Sequence, residues 1–272
     1  MGAYNDDVLF IHIPKCGGWT VKKYMQEHLS NVLMPDNPDA KLPIGHVRLQ
    51  DIERFTGRAP STWKQIIAVV RNPYEQQLSQ FTFWATRRAK GRTHIHDLVT
   101  GAYVDWPRVL ADSKTEGGDW ERVTWYPHQM DFESWLQDPR SDFHVWYMQH
   151  HGYTPGMSAD EQEQARMAIE AGKAIEAGKD VGGMFRVWLT VDDEIPDNVC
   201  ILRQENLDKE LRYALAPYAP GELPELPRRN TSSHPRQWFE YYTPLAARLV
   251  EQKCKWAFDN YYAKCLLSDC VA

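Results

Sequence analysis

The sequence predicts an α/β fold in which a central parallel sheet is flanked by helices. Two observations carry this prediction: the apolar strand VLFIHI (8–13) leads into an amphipathic helix over 19–29, and the apolar strand IIAVV (66–70) leads into a second helix. Repetition of strand, tight turn and helix is typical of a parallel α/β sheet. The 272 residues, of which 43% are hydrophobic and 25% charged, suit one globular domain, and we expect a single domain over 1–272.

The first strand is continuously apolar apart from His12, as expected of a strand covered on both faces. The helix after it has apolar or aromatic residues at intervals of three and four, which is one face of an α-helix. These residues are Val21, Tyr24, Met25, His28 and Leu29.

The second strand ends at a predicted helix start. Asn72 is a good helix cap, Pro73 suits the first helical position, and Glu75 falls where a capping box places its acid. Helical spacing then predicts an inward face made of Tyr74, Leu78, Phe81 and Ala85.

The remaining elements are predicted from shorter patterns. MDFESWLQ (130–137) has the pattern of a short helix, and the doubled AIEAGK of 168–179 fits neither a helical nor a strand period, so we expect a surface insertion there. The other predictions are strands at FRVWLTV (185–191) and VCILR (199–203), a helix over 205–215, and a last helix over 240–263 whose inward face is Ala246, Leu249, Val250, Cys254, Ala257, Phe258 and Tyr261.

Composition excludes several classes of function. The chain has 31 basic and 37 acidic residues, a net charge of −6, which disfavours a general nucleic-acid binder. No apolar run approaches the ~20 residues that span a bilayer, and the first residues do not resemble a secretory signal. Five widely spaced cysteines predict neither a disulfide framework nor a zinc site. We therefore expect a cytoplasmic protein with no membrane partner and no metal.

The segment IPKCGGWT (13–20) lies between the first strand and its helix. Its two glycines permit a tight turn whose backbone N–H groups approach a ligand, and the helix N-terminus adds partial positive charge. Lys15 contributes a full charge and Thr20 a hydroxyl, so the segment predicts a phosphate or sulfate site. It is not a Walker A loop, GxxxxGK(S/T), because the lysine precedes the glycines. The alternative is an ordinary strand-to-helix turn with a solvated lysine.

The segment AVVRNPYEQQLSQF (68–81) offers a second anion contact. Arg71 follows the carboxyl end of a buried strand, the edge at which α/β sheets bind ligands, and Ser79 follows eight residues later. A guanidinium and a hydroxyl can together bind one phosphate. The alternative is that Arg71 pairs with a carboxylate such as Glu75 while Ser79 faces solvent.

Together the two segments resemble a known family. IPKCGGWT resembles the 5′-phosphosulfate loop of sulfotransferases that use 3′-phosphoadenosine-5′-phosphosulfate (PAPS), and VRNPYEQQLSQF resembles their 3′-phosphate motif. The likeness is greatest to the carbohydrate-type branch that includes heparan sulfate 2-O-sulfotransferases. Weaker likenesses occur at IGHVRLQDIERF (44–55), MDFESWLQ, LRQENLDKEL (202–211) and the NTSSH of 230–234. The resemblance implies a P-loop-like sulfotransferase fold and PAPS as co-substrate, with no metal.

The resemblance also implies roles for individual residues. The backbone from Cys16 through Gly17, Gly18 and Trp19 to Thr20 would hold the 5′-phosphosulfate, and Lys15 would stabilise charge on the departing phosphate. Arg71 and Ser79 would hold the 3′-phosphate, and His46 would be the general base. A loop containing Asn230, Thr231 and Ser232 would close over the nucleotide.

The sequence departs from the family pattern at two positions. Ile44 replaces the first histidine of the heparan-type His-Gly-His, so His46 stands alone there, and Trp19 replaces a small residue after the glycines. We expect transfer of a sulfuryl group from PAPS to an acceptor hydroxyl, with a saccharide as the favoured acceptor. The alternatives are a P-loop-type kinase or nucleotide hydrolase, which would need Mg²⁺, and a non-catalytic nucleotide-binding module.

Overall fold

The structure is a computed structural model that describes residues 2–34, 48–89, 94–96, 103–105, 132–137, 183–227 and 237–263. The chain divides into two compact units. The first consists of Met1–Gln76, Gly182–Pro235 and Lys253–Cys265, and the second of Gln77–Val181, Arg236–Gln252 and Leu266–Ala272. The expectation of one domain over 1–272 stays a prediction.

The described strands and helices follow in chain order. The strands are β1 (Ala3–Tyr4), β2 (Val8–Ile11), β3 (Gln65–Val70), β4 (His94–His96), β5 (Tyr103–Asp105) and β6 (Val199–Arg203). The helices are α1 (Gly18–His28), α2 (Ile52–Thr56), α3 (Pro73–Ala89), α4 (Phe132–Gln137), α5 (Gly183–Leu189), α6 (Leu207–Leu215), α7 (Pro244–Lys253) and α8 (Lys255–Ala257), and a π-helical turn, Phe258–Tyr262, follows α8. Short 3₁₀ turns lie at Leu49–Asp51, Pro60–Thr62, Gln204–Asn206, Ala216–Tyr218 and Trp238–Tyr241.

A four-stranded mixed sheet, in the order β1-β2-β3-β6, forms the centre of the first unit. β2 pairs in parallel with β3, and β3 pairs in parallel with β6, with Val70 opposite Arg203. The two predicted apolar strands are therefore adjacent and parallel. All four residues of β2 are buried, as are the last five residues of β3.

The sequence predicted a parallel sheet. The observed sheet is mixed, because β1 is antiparallel to β2. Only three residues join these strands, and a parallel crossover needs a dozen or more. The Asn5 side chain forms this turn, since its Oδ1 accepts hydrogen bonds from the N–H groups of Asp7 at 3.0 Å and Val8 at 2.8 Å.

The helices that follow β2 and β3 were predicted correctly. α1 buries Val21, Tyr24 and Met25, and the His28 ring lies edge-on to that of Tyr24, at 4.6 Å between ring centres. α3 begins at Pro73, and its Tyr74 and Leu78 are fully buried. Both helices start directly beyond the carboxyl edge of the parallel strands, which is where the two candidate anion segments lie.

The strand predicted at 185–191 was wrong, because this segment forms helix α5. Phe185, Trp188 and Leu189 are buried at helical spacing, and the N–H of Thr190 still donates to the carbonyl of Arg186 at 3.1 Å. The β-branched and aromatic residues favour a strand by propensity. Burial of an i, i+3, i+4 face overrides that preference.

The last helix was predicted as continuous, but it breaks at Cys254 and ends in the π-helical turn. The buried face includes Ala246, Val250, Cys254, Ala257 and Phe258, as predicted. A π-helical turn adds one residue to the helical repeat. Tyr262 consequently takes the buried position that the sequence assigned to Tyr261.

The described part of the second unit includes the two-stranded sheet β4-β5 and α4. The short helix predicted at 130–137 is confirmed as α4, whose Phe132 and Trp135 pack against Phe81, with ring centres 5.3 and 5.6 Å apart. The 168–179 repeat lies outside the described residues. Among the described helices, none has the length and apolar character needed to cross a membrane.

Candidate anion-binding site

The connection between β2 and α1 has an unusual backbone. Lys15 has φ +63° and Gly17 has φ +78°, both in the left-handed region. Glycine adopts this conformation freely, whereas for Lys15 it costs about 1–3 kcal/mol. Alternation of right- and left-handed residues turns successive N–H groups toward one point, which is the arrangement of an anion-binding concavity.

Three backbone N–H groups at the start of α1 have no protein acceptor among the described residues: those of Gly17, Gly18 and Trp19. The next two, of Thr20 and Val21, donate to the carbonyl of Gly17 at 3.0 and 3.4 Å. No side chain of the described residues caps this helix, so the partial positive charge at its N-terminus has no capping oxygen there. The predicted phosphosulfate loop thus has the donors that an oxyanion needs.

Two side chains from the second candidate segment donate hydrogen bonds to backbone carbonyls of the loop. Nη1 of Arg71 donates to the carbonyl of Lys15 at 3.3 Å, and Nε2 of Gln76 donates to the carbonyl of Pro14 at 3.1 Å. Both carbonyls are therefore engaged within the protein. The structure brings the Lys15 backbone and the Arg71 side chain together across 56 residues of sequence.

Arg71 also forms the ion pair that was the alternative prediction. Its Nη2 lies 2.8 Å from Oε2 of Glu75, one helical turn further along. Its Nε is buried and has no partner among the described residues. The Arg71 side chain is 17% exposed, so the guanidinium is partly shielded from water and keeps one donor that an oxyanion could satisfy.

Cys16 fills the inner side of the loop. Its Sγ lies 3.4 Å from the carbonyl of Pro14, toward which it donates. Burial raises the pKa of the Cys16 thiol well above its ordinary value, against the opposing charge of Arg71. The side chain is consequently a neutral thiol at physiological pH and acts as a packing residue, while its backbone belongs to the loop.

Gly18 has no room for a side chain, because the His12 ring lies against its Cα. A Cβ added there would lie 1.9 Å from Cδ2 and 2.2 Å from Nε2 of His12. The imidazole of His12, at the end of β2, therefore packs directly over the first residue of α1. It stacks on Phe10 with ring centres 6.0 Å apart.

Trp19 is 44% exposed, beside the open N–H groups. Nζ of Lys22 lies 4.5 Å from the centre of its indole ring, and Nζ of Lys23 lies at 5.8 Å. These distances are those of cation–π contacts. The Lys22 side chain is fully buried beside this indole. Thr20 is half-buried in the first turn of α1.

The remaining predicted site residues have different outcomes. Ser79 lies on α3 within the second unit and is 3% exposed, so it does not face solvent as in the alternative prediction. His46, Asn230, Thr231 and Ser232 lie outside the described residues. Their assignment to the site stays a prediction.

Four residues around the loop were not identified from the sequence. They are His12, Gln76, Glu205 and Tyr262. A polar residue inside the apolar run 8–13 was the available signal for His12. Glu205 accepts a hydrogen bond from the N–H of Asn72, 133 residues away, and no local pattern could indicate that contact.

Comparison of the chain with protein-family models, with curated proteins and with solved structures found no match.

The contact between His12 and Gly18 can be tested by a double-mutant cycle. We expect Gly18→Ala alone to lower the free energy of unfolding by about 1–3 kcal/mol, because the new methyl group overlaps the imidazole. In a His12→Ala background the same change should be neutral or stabilising, since alanine is the better helix former by about 0.5–1 kcal/mol. Urea unfolding of the four proteins measures the coupling. Equal costs in both backgrounds would contradict the contact.

The ion pair with Glu75 competes with any anion for Arg71. We expect Glu75→Gln to tighten binding of 3′-phosphoadenosine-5′-phosphate about 2–5-fold, because a partly exposed ion pair contributes about 0.2–1 kcal/mol. Isothermal titration calorimetry measures the change. Asp208→Asn is the matched control, since Asp208 pairs with Arg212 at the same helical spacing on α6. Weaker binding by Glu75→Gln would show instead that Glu75 orients Arg71 for the ligand.

Proposed function

We propose that the protein is a PAPS-dependent sulfotransferase that moves a sulfuryl group to an acceptor hydroxyl, with a saccharide as the favoured acceptor. The acceptor oxygen attacks sulfur in line with the bond to the 5′-phosphate, that bond breaks, and 3′-phosphoadenosine-5′-phosphate leaves. His46 takes the hydroxyl proton. Transfer of this kind has a loose transition state, so catalysis rests on positioning and on stabilisation of charge.

One observation carries the proposal: Arg71 Nη1 donates to the Lys15 carbonyl at 3.3 Å, beside three N–H groups that have no acceptor among the described residues. A PAPS molecule has an anionic group at each end of its ribose. The proposal therefore needs two anion contacts from separate parts of the chain at one sheet edge. The parallel pairing of β2 and β3 supports this, because it puts the carboxyl ends of the two strands, and the segments that follow them, side by side.

The 5′-phosphosulfate is assigned to the loop from Cys16 to Thr20. Hydrogen bonds from the N–H groups of Gly17, Gly18 and Trp19 would bind its oxygens, and the dipole of α1 adds to their effect. The Lys15 ammonium would offset the charge that develops on the departing phosphate as the S–O bond breaks.

The 3′-phosphate is assigned to Arg71, and the addition of Ser79 rests on the sequence resemblance alone. The unpartnered Nε of Arg71 and its Nη2, once released by Glu75, form the two-donor edge that a phosphate accepts bidentately. The position of the Asn230–Ser232 loop over the nucleotide is carried by the sequence resemblance alone.

A thermal-shift panel tests the donor assignment. We expect 3′-phosphoadenosine-5′-phosphate without magnesium to stabilise the protein, by about 2.7 kcal/mol at 100 times its Kd. Arg71→Ala should weaken binding by about 2–5 kcal/mol because the phosphate loses its guanidinium. Arg212→Ala is the control, since it removes an arginine from an ion pair on α6.

Stabilisation only by ATP with Mg²⁺ would favour a kinase or nucleotide hydrolase instead. An unchanged affinity in Arg71→Ala would remove Arg71 from the site. Tight binding of the nucleotide without transfer from labelled PAPS to any sugar, phenol or peptide would favour a non-catalytic nucleotide-binding module.

His46 is tested by activity. We expect His46→Ala to abolish transfer from labelled PAPS and to leave the affinity for 3′-phosphoadenosine-5′-phosphate within about twofold, because a general base acts on the acceptor and contributes 10²–10⁴-fold. His28→Ala, in the last turn of α1, controls for loss of an imidazole. Unchanged turnover in His46→Ala would exclude it as the base.

A further inference from the structure

Glu205 connects three separate segments of the first unit. It lies in the 3₁₀ turn directly after β6, and each of its carboxylate oxygens accepts one hydrogen bond. Oε1 accepts from the backbone N–H of Asn72 at 2.7 Å, and Oε2 accepts from the hydroxyl of Tyr262 at 2.8 Å. The side chain thus links the end of β6, the turn before α3 and the π-helical turn.

The sheet register explains why Glu205 reaches Asn72. Val70, the last residue of β3, is paired with Arg203, the last residue of β6. Two residues beyond each of these come Asn72 and Glu205, so the parallel alignment continues past the strands. The backbone pairing of β3 with β6 has ended there. The Glu205 side chain, and not a backbone carbonyl, accepts the hydrogen bond from the Asn72 N–H.

Asn72 is the residue that directs Arg71. Its Oδ1 accepts from the N–H of Tyr74 at 3.0 Å, and its carbonyl accepts from the N–H of Gln76 at 2.9 Å. With its own N–H bound by Glu205, the N–H, the carbonyl and Oδ1 of Asn72 are all engaged. The peptide that joins Arg71 to Asn72 therefore has a fixed orientation, and the direction of the Arg71 side chain depends on it.

Tyr262 donates a hydrogen bond to the second carboxylate oxygen of Glu205. Its side chain is 6% exposed, and burial, followed by the nearby charge of Glu205, raises the pKa of its phenol well above the ordinary value. The phenol therefore stays protonated, and its O–H donates a hydrogen bond to Oε2 of Glu205. Because a glutamate side chain has several rotatable bonds, this second contact limits the rotamers from which Oε1 can reach Asn72.

We propose that Glu205 is a positioning residue for the donor: through Asn72 it holds the turn that aims Arg71 at the 3′-phosphate. This inference rests on the proposed function. Glu205 acts by geometry and not by charge, since a carboxylate beside an anion site opposes anion binding. Replacement by glutamine keeps one acceptor oxygen for the Asn72 N–H and removes the charge, and its NH2 can donate to the Tyr262 oxygen, so the two effects can be separated.

The experiment compares Glu205→Ala with Glu205→Gln by calorimetric titration of 3′-phosphoadenosine-5′-phosphate into each full-length protein. We expect Glu205→Ala to raise Kd about tenfold, because the backbone of the released Asn72 turn must be ordered again when the nucleotide binds. Glu205→Gln should bind as tightly as the unchanged protein or more tightly. In transfer assays the KM for PAPS should rise in Glu205→Ala while kcat changes less than about threefold.

Glu210→Ala is the matched control. Glu210 is a glutamate of the same segment that accepts from a backbone N–H at the end of a strand, that of Arg203, at 2.6 Å. It makes no contact with the Arg71 turn among the described residues. Its removal should leave Kd unchanged, so an equal loss in Glu210→Ala would overturn the proposal, as would a tenfold loss in Glu205→Gln or none in Glu205→Ala.

A ligand-free measurement separates this inference from the proposed function. Hydrogen exchange at the Asn72 amide, followed by NMR, should accelerate at least tenfold in Glu205→Ala and not in Glu210→Ala. Faster exchange with unchanged donor affinity overturns the positioning role alone. If the unchanged protein does not bind the nucleotide, the proposed function fails and the assignment of Glu205 to the donor fails with it.

Discussion

The hydrogen bond from Arg71 to the carbonyl of Lys15 is the constraint on which the candidate site depends. It joins the loop after β2 to the turn after β3, two segments that leave the same edge of the sheet. Lys15 has a left-handed backbone angle, which is unfavourable for any residue with a Cβ, and this hydrogen bond engages its carbonyl. Gln76 binds the preceding carbonyl, that of Pro14, so two successive carbonyls of the loop are bound by side chains.

Acidic side chains accompany Arg71 at this edge. Glu75 pairs with the Arg71 guanidinium, and Glu205 accepts a hydrogen bond from the neighbouring Asn72 N–H, so both carboxylates are engaged. A carboxylate opposite Arg71 keeps the guanidinium ordered without a bound anion. A doubly charged phosphate, with more acceptor oxygens, competes well for the same donors. The net charge of −6 of the whole chain therefore says little about this local site.

The helices and strands that border the site were predictable because their patterns are local. The apolar strands at 8–13 and 66–70 and the cap at Asn72 were identified correctly from neighbouring residues. Prediction failed where packing overrides local preference. The residues of α5 favour a strand but bury Phe185, Trp188 and Leu189 as a helix, and the π-helical turn replaces Tyr261 by Tyr262 on the buried face.

The amino-acid sequence by itself determined the order of strands and helices and the two segments that carry Lys15 and Arg71, because hydrophobic period, glycines and caps act over a few residues. Only the tertiary structure decided that these segments meet, that Gly18 makes room for His12, and that Glu205 binds Asn72 across 133 residues. Those contacts depend on the pairing of β2, β3 and β6. That pairing brings distant residues together through burial and strand register, which no short window of sequence contains.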